Sequence, residues 1–277
     1  MSGQDNENRK IIEDPEVLYD IDDHVAIITL NRPERMNTIS RTMLEMLSQL
    51  LVAANEDFEI RAVILTGKGR AFCAGLDLKE KTQGKDSSGI MSNGDAATNF
   101  DLRNATPVVL QTMDKPTICA LNGSSAGYGM DTALGCDIRI MADTAKMSAA
   151  FAKRGLVPES GGTWYLPRLV GWSKASEIIF TGRTLSAEQC LELGLVSKVV
   201  PADTLMDEAR ALAQEIADNA PLAVQAAKRM MRMGLSESFP DHVYRVFLQL
   251  MPLMRTEDTK EGMVSFLEKR KPIFKGR

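Results

Sequence analysis

The stretch Thr117-Ile118-Cys119-Ala120-Leu121-Asn122-Gly123-Ser124-Ser125-Ala126-Gly127-Tyr128-Gly129-Met130-Asp131 reads as an apolar strand, a glycine-bearing turn and the start of a helix. The same plan occurs upstream, where Ala62 to Thr66 runs into Gly67-Lys68-Gly69-Arg70 and on through Ala71 to Glu80 towards a second helix start. Further β-rich runs fall at Val17 to Tyr19, Val25 to Leu30 and Asp137 to Ala142. Helical periodicity lies between them. Ser40 to Asn55 opens on a Ser cap and sets Met43, Leu44, Leu47, Leu50 and Leu51 on one face, at spacings of three and four. Strands alternating with helices predict an α/β core rather than a sandwich.

Outward from this core the pattern changes. Residues 1–14 read as a flexible tail, and Lys81 to Asp95 as a surface loop rich in Gly, Ser and Asp. Beyond about residue 165 the periodicity predicts helices alone. Ser186 and Gln189 form a capping box, with Gly194 closing that helix. Asp203 caps a longer helix with Leu205, Ala209, Leu212, Ala213 and Ile216 on its inner face, and Pro221 opens another that stops at Gly234. Met230, Met231, Met233, Met251, Met254 and Met263 are first read as helix core, with a subunit interface as the second reading. The expected division is a core over 15–200 and a helical region over 201–277.

Composition removes several classes of function. The chain has 277 residues, with 33 Lys and Arg against 37 Asp and Glu. The resulting net charge of −4 does not suit a nucleic-acid binder that relies on a broad basic surface. His24 and His242 are its two histidines, too few for a His-rich metal site. Cys73, Cys119, Cys136 and Cys190 include no C-x-x-C pair, so four reduced, buried thiols are expected and no metal ligand set. The polar, acidic start resembles neither a signal nor a transit peptide, and no apolar run approaches the ~20 residues that span a bilayer. A cytoplasmic protein with no membrane partner is the expectation.

The glycines narrow the chemistry. Gly123, Gly127 and Gly129 are spaced G-x-x-x-G-x-G, the reverse of the dinucleotide-binding order, and G-x-x-x-x-G-K-[ST] does not occur. What remains is a pair of backbone N–H groups at two helix starts, able to polarise one carbonyl oxygen if the strands are neighbours. The alternative is that each turn simply lets helix and strand pack closely. A third segment, Gly155-Leu156-Val157-Pro158-Glu159-Ser160-Gly161-Gly162-Thr163, adds a carboxylate among glycines.

Taken in order, LNRP (Leu30 to Pro33), AFCAGLDL (Ala71 to Leu78), NGSSAGYG (Asn122 to Gly129), CDIRIMA, GLVPESGGT and FLEKRKP resemble the enoyl-CoA hydratase/isomerase (crotonase) superfamily over nearly the whole chain. The resemblance implies a spiral of β-β-α repeats with a C-terminal helical trimerisation region, assembled as a trimer or a dimer of trimers. It implies an acyl-CoA thioester substrate and no separate cofactor, coenzyme A being part of the substrate. Carried over by position, the amides of Leu76 and Tyr128 hold the thioester carbonyl. Ala74, Leu76, Asp77, Leu78 and Lys79 line the CoA path, and Phe266 and Lys269 reach the CoA of a neighbouring subunit. Arg35 contacts phosphate on this reading, as does Arg32, with a solvated surface role as the alternative for both.

Hydratases of the family use two glutamates around one water. Here the first position is Asp131, one methylene shorter, and the second, four residues before Gly155, is Phe151, which cannot carry a proton. Relatives that shift a double bond place an Asp or Glu where Glu159 stands. One carboxylate suffices for that chemistry: it takes a proton from the carbon α to the thioester and returns it at the γ carbon. The reading is an acyl-CoA isomerase with Glu159 as proton shuttle and Asp131 as auxiliary carboxylate or second acid. The runners-up are an enoyl-CoA hydratase using both carboxylates, then thioester hydrolysis or decarboxylation, and a catalytically silent CoA-thioester-binding subunit.

Overall fold

The computed structural model describes residues 15–77 and 105–277. The expected tail over 1–14, the loop over 81–95, Leu78 and Lys79 lie outside the described residues.

A six-stranded sheet forms the core. Its strands are β1 (Val17–Asp22), β2 (Val25–Leu30), β3 (Ala62–Gly67), β5 (Thr117–Leu121), β7 (Ile138–Ala142) and β10 (Lys198–Val200), in that spatial order. β1 pairs antiparallel with β2, and every later neighbour is parallel. Strands in the middle of a parallel sheet are covered on both faces, so β3 (AVILTG) and β5 (TICAL) are buried at every residue.

The second sheet runs β4 (Ala71–Cys73), β6 (Ser124–Ala126), β8 (Lys146–Ser148) and β9 (Thr184–Ser186). Consecutive strands therefore alternate between sheets: β3 then β4, β5 then β6, β7 then β8. This is the expected β-β-α spiral. Its tight turns use Asn37 and Asn122, whose side chains bond the backbone of residues 67–71.

Helices clothe the sheets. In α1 (Arg41–Glu56) the Ser40 hydroxyl accepts from the Met43 amide at 2.9 Å, and Met43, Leu47, Leu51 and Ala54 form the buried stripe. α2 (Thr106–Thr112) packs beside α1, and α3 (Tyr128–Gly135) follows β6. α4 (Gly162–Thr181) breaks at Gly171, where φ is +76°. The Ser186–Gln189 capping box opens α5 (Ala187–Glu192) as expected. α6 (Leu205–Ala217) lays Leu205, Ala209, Ala213 and Ala217 on β3, β5 and β7, the small side chains admitting close approach. α7 (Pro221–Gly234), α8 (Phe239–Leu253) and α9 (Glu257–Glu268) complete the chain.

Three expectations are corrected. The chain is not wholly helical after residue 165: β9 and β10 are strands of three residues, too short to show a period, and pairing with β8 and β7 defines them. The cap of α6 is Thr204, not Asp203, and it makes no side-chain cap bond; its hydroxyl donates instead to the Pro201 carbonyl. The methionines are not chiefly core. Met230 is buried, but Met231, Met251, Met254 and Met263 are exposed, alongside Phe239, Tyr244, Phe247 and Leu248 of α8. The four cysteines are buried and free, as composition suggests. No helix among the described residues is long and apolar enough to cross a membrane.

Candidate active site

Two backbone amides anchor the site. Leu76 forms a parallel bridge with Ile39, in which the Ile39 amide donates to the Gly75 carbonyl and the Asp77 amide to the Ile39 carbonyl. Leu76 lies between those two bonds, so its own N–H points the other way, where it has no acceptor among the described residues. Tyr128 is the first residue of α3, and its N–H is one of the helix-start donors that no intrahelical carbonyl satisfies.

Gly75 brings the two together. Its φ is +99°, and a Cβ there would sit 3.0 Å from the Ala126 carbonyl oxygen and 3.8 Å from the Tyr128 amide nitrogen. Glycine is required on both counts. Both donors border a cavity lined by Ala74, Gly75, Leu76, Gly127 and Tyr128 on the backbone side. The remaining wall is Ala150, Phe151, Arg154, Leu156 and Glu159.

The Tyr128 side chain is buried, its hydroxyl meets Thr106, and burial pushes the phenol above its ordinary range. The side chain thus points away and leaves the amide free. The Phe151 ring packs within 4.0 Å of where a Gly127 Cβ would be and puts a phenyl group on the cavity wall.

Glu159 sits in the turn before α4, between buried Pro158 and buried Ser160, and is itself exposed to the cavity. Asp131 is placed differently. It is 1% exposed and is not among the cavity lining. Its Oδ2 accepts from the Ser160 hydroxyl at 2.8 Å; Oδ1 faces the Gly162 backbone without a well-formed hydrogen bond. A Cβ on Gly162 would lie 2.3 Å from that oxygen. Burial raises the Asp131 carboxyl from 3.8 to about 7, against the lowering effect of the Ser160 hydroxyl, with the Glu159 charge adding to the rise. Asp131, expected as auxiliary carboxylate or second acid, is thus buried behind the loop that carries Glu159 and bonded to it.

The other expected contacts scatter. Asp77 is buried and accepts from Arg32 at 3.2 Å and from Thr38. Arg32 also pairs with Glu16 at 3.3 Å and donates to the Thr38 carbonyl, so it braces the fold while bordering the same depression as Arg35. Arg35 is exposed in a separate depression with Lys68, Asn31 and Glu34. Phe266 and Lys269 are exposed at the end of α9, outside the cavity of their own chain. Trp164 and Tyr165 pack edge to face at 5.1 Å, with the Tyr165 hydroxyl on Gln111, and do not line the cavity.

Sequence reasoning missed Arg154, a cation on the cavity wall; the signal was a Lys-Arg pair directly before Gly155. Among the described residues, no cluster of His, Cys, Asp or Glu could hold a metal ion.

Comparison with known proteins places this geometry. Residues 20–277 match the family described as enoyl-CoA hydratase/isomerase. The chain is 37% identical over 266 residues to the 1,2-epoxyphenylacetyl-CoA isomerase of Escherichia coli K12, covering 94% of this chain and 98% of that one. It is 36% identical over 262 residues to the 2,3-dehydroadipyl-CoA hydratase of the same organism, covering 95% and 99%. The crystal structure of an enoyl-CoA hydratase from Bacillus anthracis superimposes with a TM-score of 0.86 at 35% identity, over 95% of this chain and all of that one.

Proposed function

Because the chain belongs to the enoyl-CoA hydratase/isomerase family, an enzyme family of the crotonase superfamily, we propose that it shifts the double bond of an acyl-CoA thioester. The carrying observation is that Glu159 provides the one carboxylate among the described residues lining the cavity, with the Phe151 ring on the same wall.

The thioester carbonyl sits between the Leu76 and Tyr128 amides. Glu159 removes a proton from Cα of a 3-enoyl group, and the electron pair of that C–H bond delocalises into the carbonyl and the C3–C4 double bond. The oxyanion of this dienolate is held by the two N–H donors, each worth roughly 3 kcal/mol in the transition state. Protonated Glu159 then delivers its proton to Cγ, leaving a 2-enoyl-CoA and restoring the carboxylate. Nothing is oxidised or reduced, and no water is consumed. Hydration by Asp131 and Glu159 together is the competing reading, since relatives of near-equal identity carry both names. It needs two carboxylates at one water, and the buried Ser160 contact holds Asp131 away from that position. Side-by-side assays of a 3-enoyl-CoA and the matching 2-enoyl-CoA test the proposal: migration outruns hydration, and the reverse order assigns a hydratase.

Asp131 acts in this scheme as a positioning residue for the Glu159 loop. Its carboxyl titrates higher in the folded protein than in the unfolded chain, so between about pH 4 and 7 the folded state binds the extra proton. Its contribution to stability is therefore full below the unfolded value and lost as pH rises towards 7. Asp131→Asn removes this titration. Against wild type, the variant gains stability from pH 5 to pH 8 in chemical denaturation. A stability difference that does not change with pH would refute the assigned titration.

The exposed apolar residues of α8 suit a contact with a second copy of the chain. We propose the trimer or dimer of trimers on that basis.

A further inference from the structure

The cavity contains one charge that the proton chemistry does not use. Arg154 closes the short 3-10 turn Ala152–Arg154, and its Nη1 donates to the Ala150 carbonyl at 3.0 Å. This bond ties the base of the guanidinium to the turn and occupies one of its five N–H donors. The others have no acceptor among the described residues, although Glu159 shares the same cavity wall. The two opposite charges line one cavity without forming an ion pair, which keeps Glu159 available as a base.

The remainder of that wall is apolar: Ala150, Phe151 and Leu156. Leu156 is 49% exposed, surface that an acyl chain would cover. An acyl group anchored by its carbonyl at Leu76 and Tyr128 therefore meets a hydrocarbon wall and a planar cation with free donors. That combination matches a chain ending in a carboxylate, which a guanidinium binds through two parallel hydrogen bonds.

We propose that Arg154 is a specificity-determining residue that recognises a carboxylate on the acyl group, so that the preferred substrates are carboxylated acyl-CoA thioesters. This rests on reading the cavity as an acyl-CoA site. The phosphates of coenzyme A present the same anionic oxygens, but Arg154 shares its wall with Glu159 and Leu156, the acyl and proton-handling residues. A substrate carboxylate bound there also leaves Glu159 in a locally neutral field, since the guanidinium offsets the added charge.

Saturated thioesters separate binding from turnover, because they carry no double bond to move or hydrate. Adipyl-CoA and hexanoyl-CoA have equal carbon counts and differ by a terminal carboxylate; suberyl-CoA and octanoyl-CoA form a longer pair. Affinities are measured by titration calorimetry for wild type, Arg154→Leu and Arg154→Lys. In at least one pair, the carboxylated member is expected to lose affinity about tenfold more than its partner on Arg154→Leu. Arg154→Lys is expected to recover part of that loss. Equal losses within both pairs would assign Arg154 to the phosphates and overturn the proposal, as would no change in either pair. Binding of none of the four thioesters by wild type would overturn the acyl-CoA reading itself. Far-UV circular dichroism of each variant establishes that it is folded.

Discussion

Glu159→Gln is expected to slow double-bond migration by about 10²–10⁴-fold, the usual worth of one positioned acid–base group. The amide keeps the size of the side chain and loses the proton it would carry. Thioester affinity should change little, because the Leu76 and Tyr128 amides and the apolar wall remain. The loss therefore falls on kcat rather than KM. Glu159→Asp retains a carboxylate but withdraws it by one methylene, and an intermediate rate is expected. Its flanking residues explain why a surface turn can hold a reactive group in place: Pro158 and Ser160 are both buried, and Ser160 is bonded to Asp131 beneath. If Glu159→Gln migrates the double bond at the wild-type rate, the shuttle has been assigned to the wrong residue.

Gly75→Val should be comparably damaging, by a different route. At φ +99° a β-branched side chain is strained, and its Cβ would press on the Ala126 carbonyl 3.0 Å away. Relief requires the segment carrying the Leu76 amide to move away from α3, which opens the gap between the two donors. Loss of one such donor costs about 10²–10³ in kcat. The measurement is kcat for migration together with thermal unfolding, since the strain also costs about 1–3 kcal/mol of stability. A folded Gly75→Val protein with undiminished kcat would show that the two amides are not the oxyanion site.

The frame of the molecule was legible because its signals are local. Uninterrupted apolar runs such as Ala62 to Thr66 marked buried parallel strands, and Ser40, Ser186 and Pro221 marked helix starts within their own turns. Glycine spacing pointed to a pair of helix-start amides, and the family resemblance put them at Leu76 and Tyr128. Long-range relations were not legible. Asp131 and Ser160 are 29 residues apart, and no periodicity links them, yet their bond ties Asp131 to the Glu159 loop. Arg32 and Asp77, 45 residues apart, form an ion pair that neither stretch reveals alone. The exposed methionines illustrate a third limit. A helix face that packs on the sheet and one left exposed have the same period in sequence.

The most direct measurement is the fate of a 3-enoyl-CoA incubated with wild-type protein in D2O and followed by proton NMR. A single carboxylate exposed to solvent and an oxyanion-held dienolate predict exchange of the Cα protons for deuterium, with 2-enoyl-CoA as the accumulating product. Retention of every Cα proton in the 3-enoyl substrate, while the matching 2-enoyl-CoA is converted to its 3-hydroxyacyl thioester, would contradict the account.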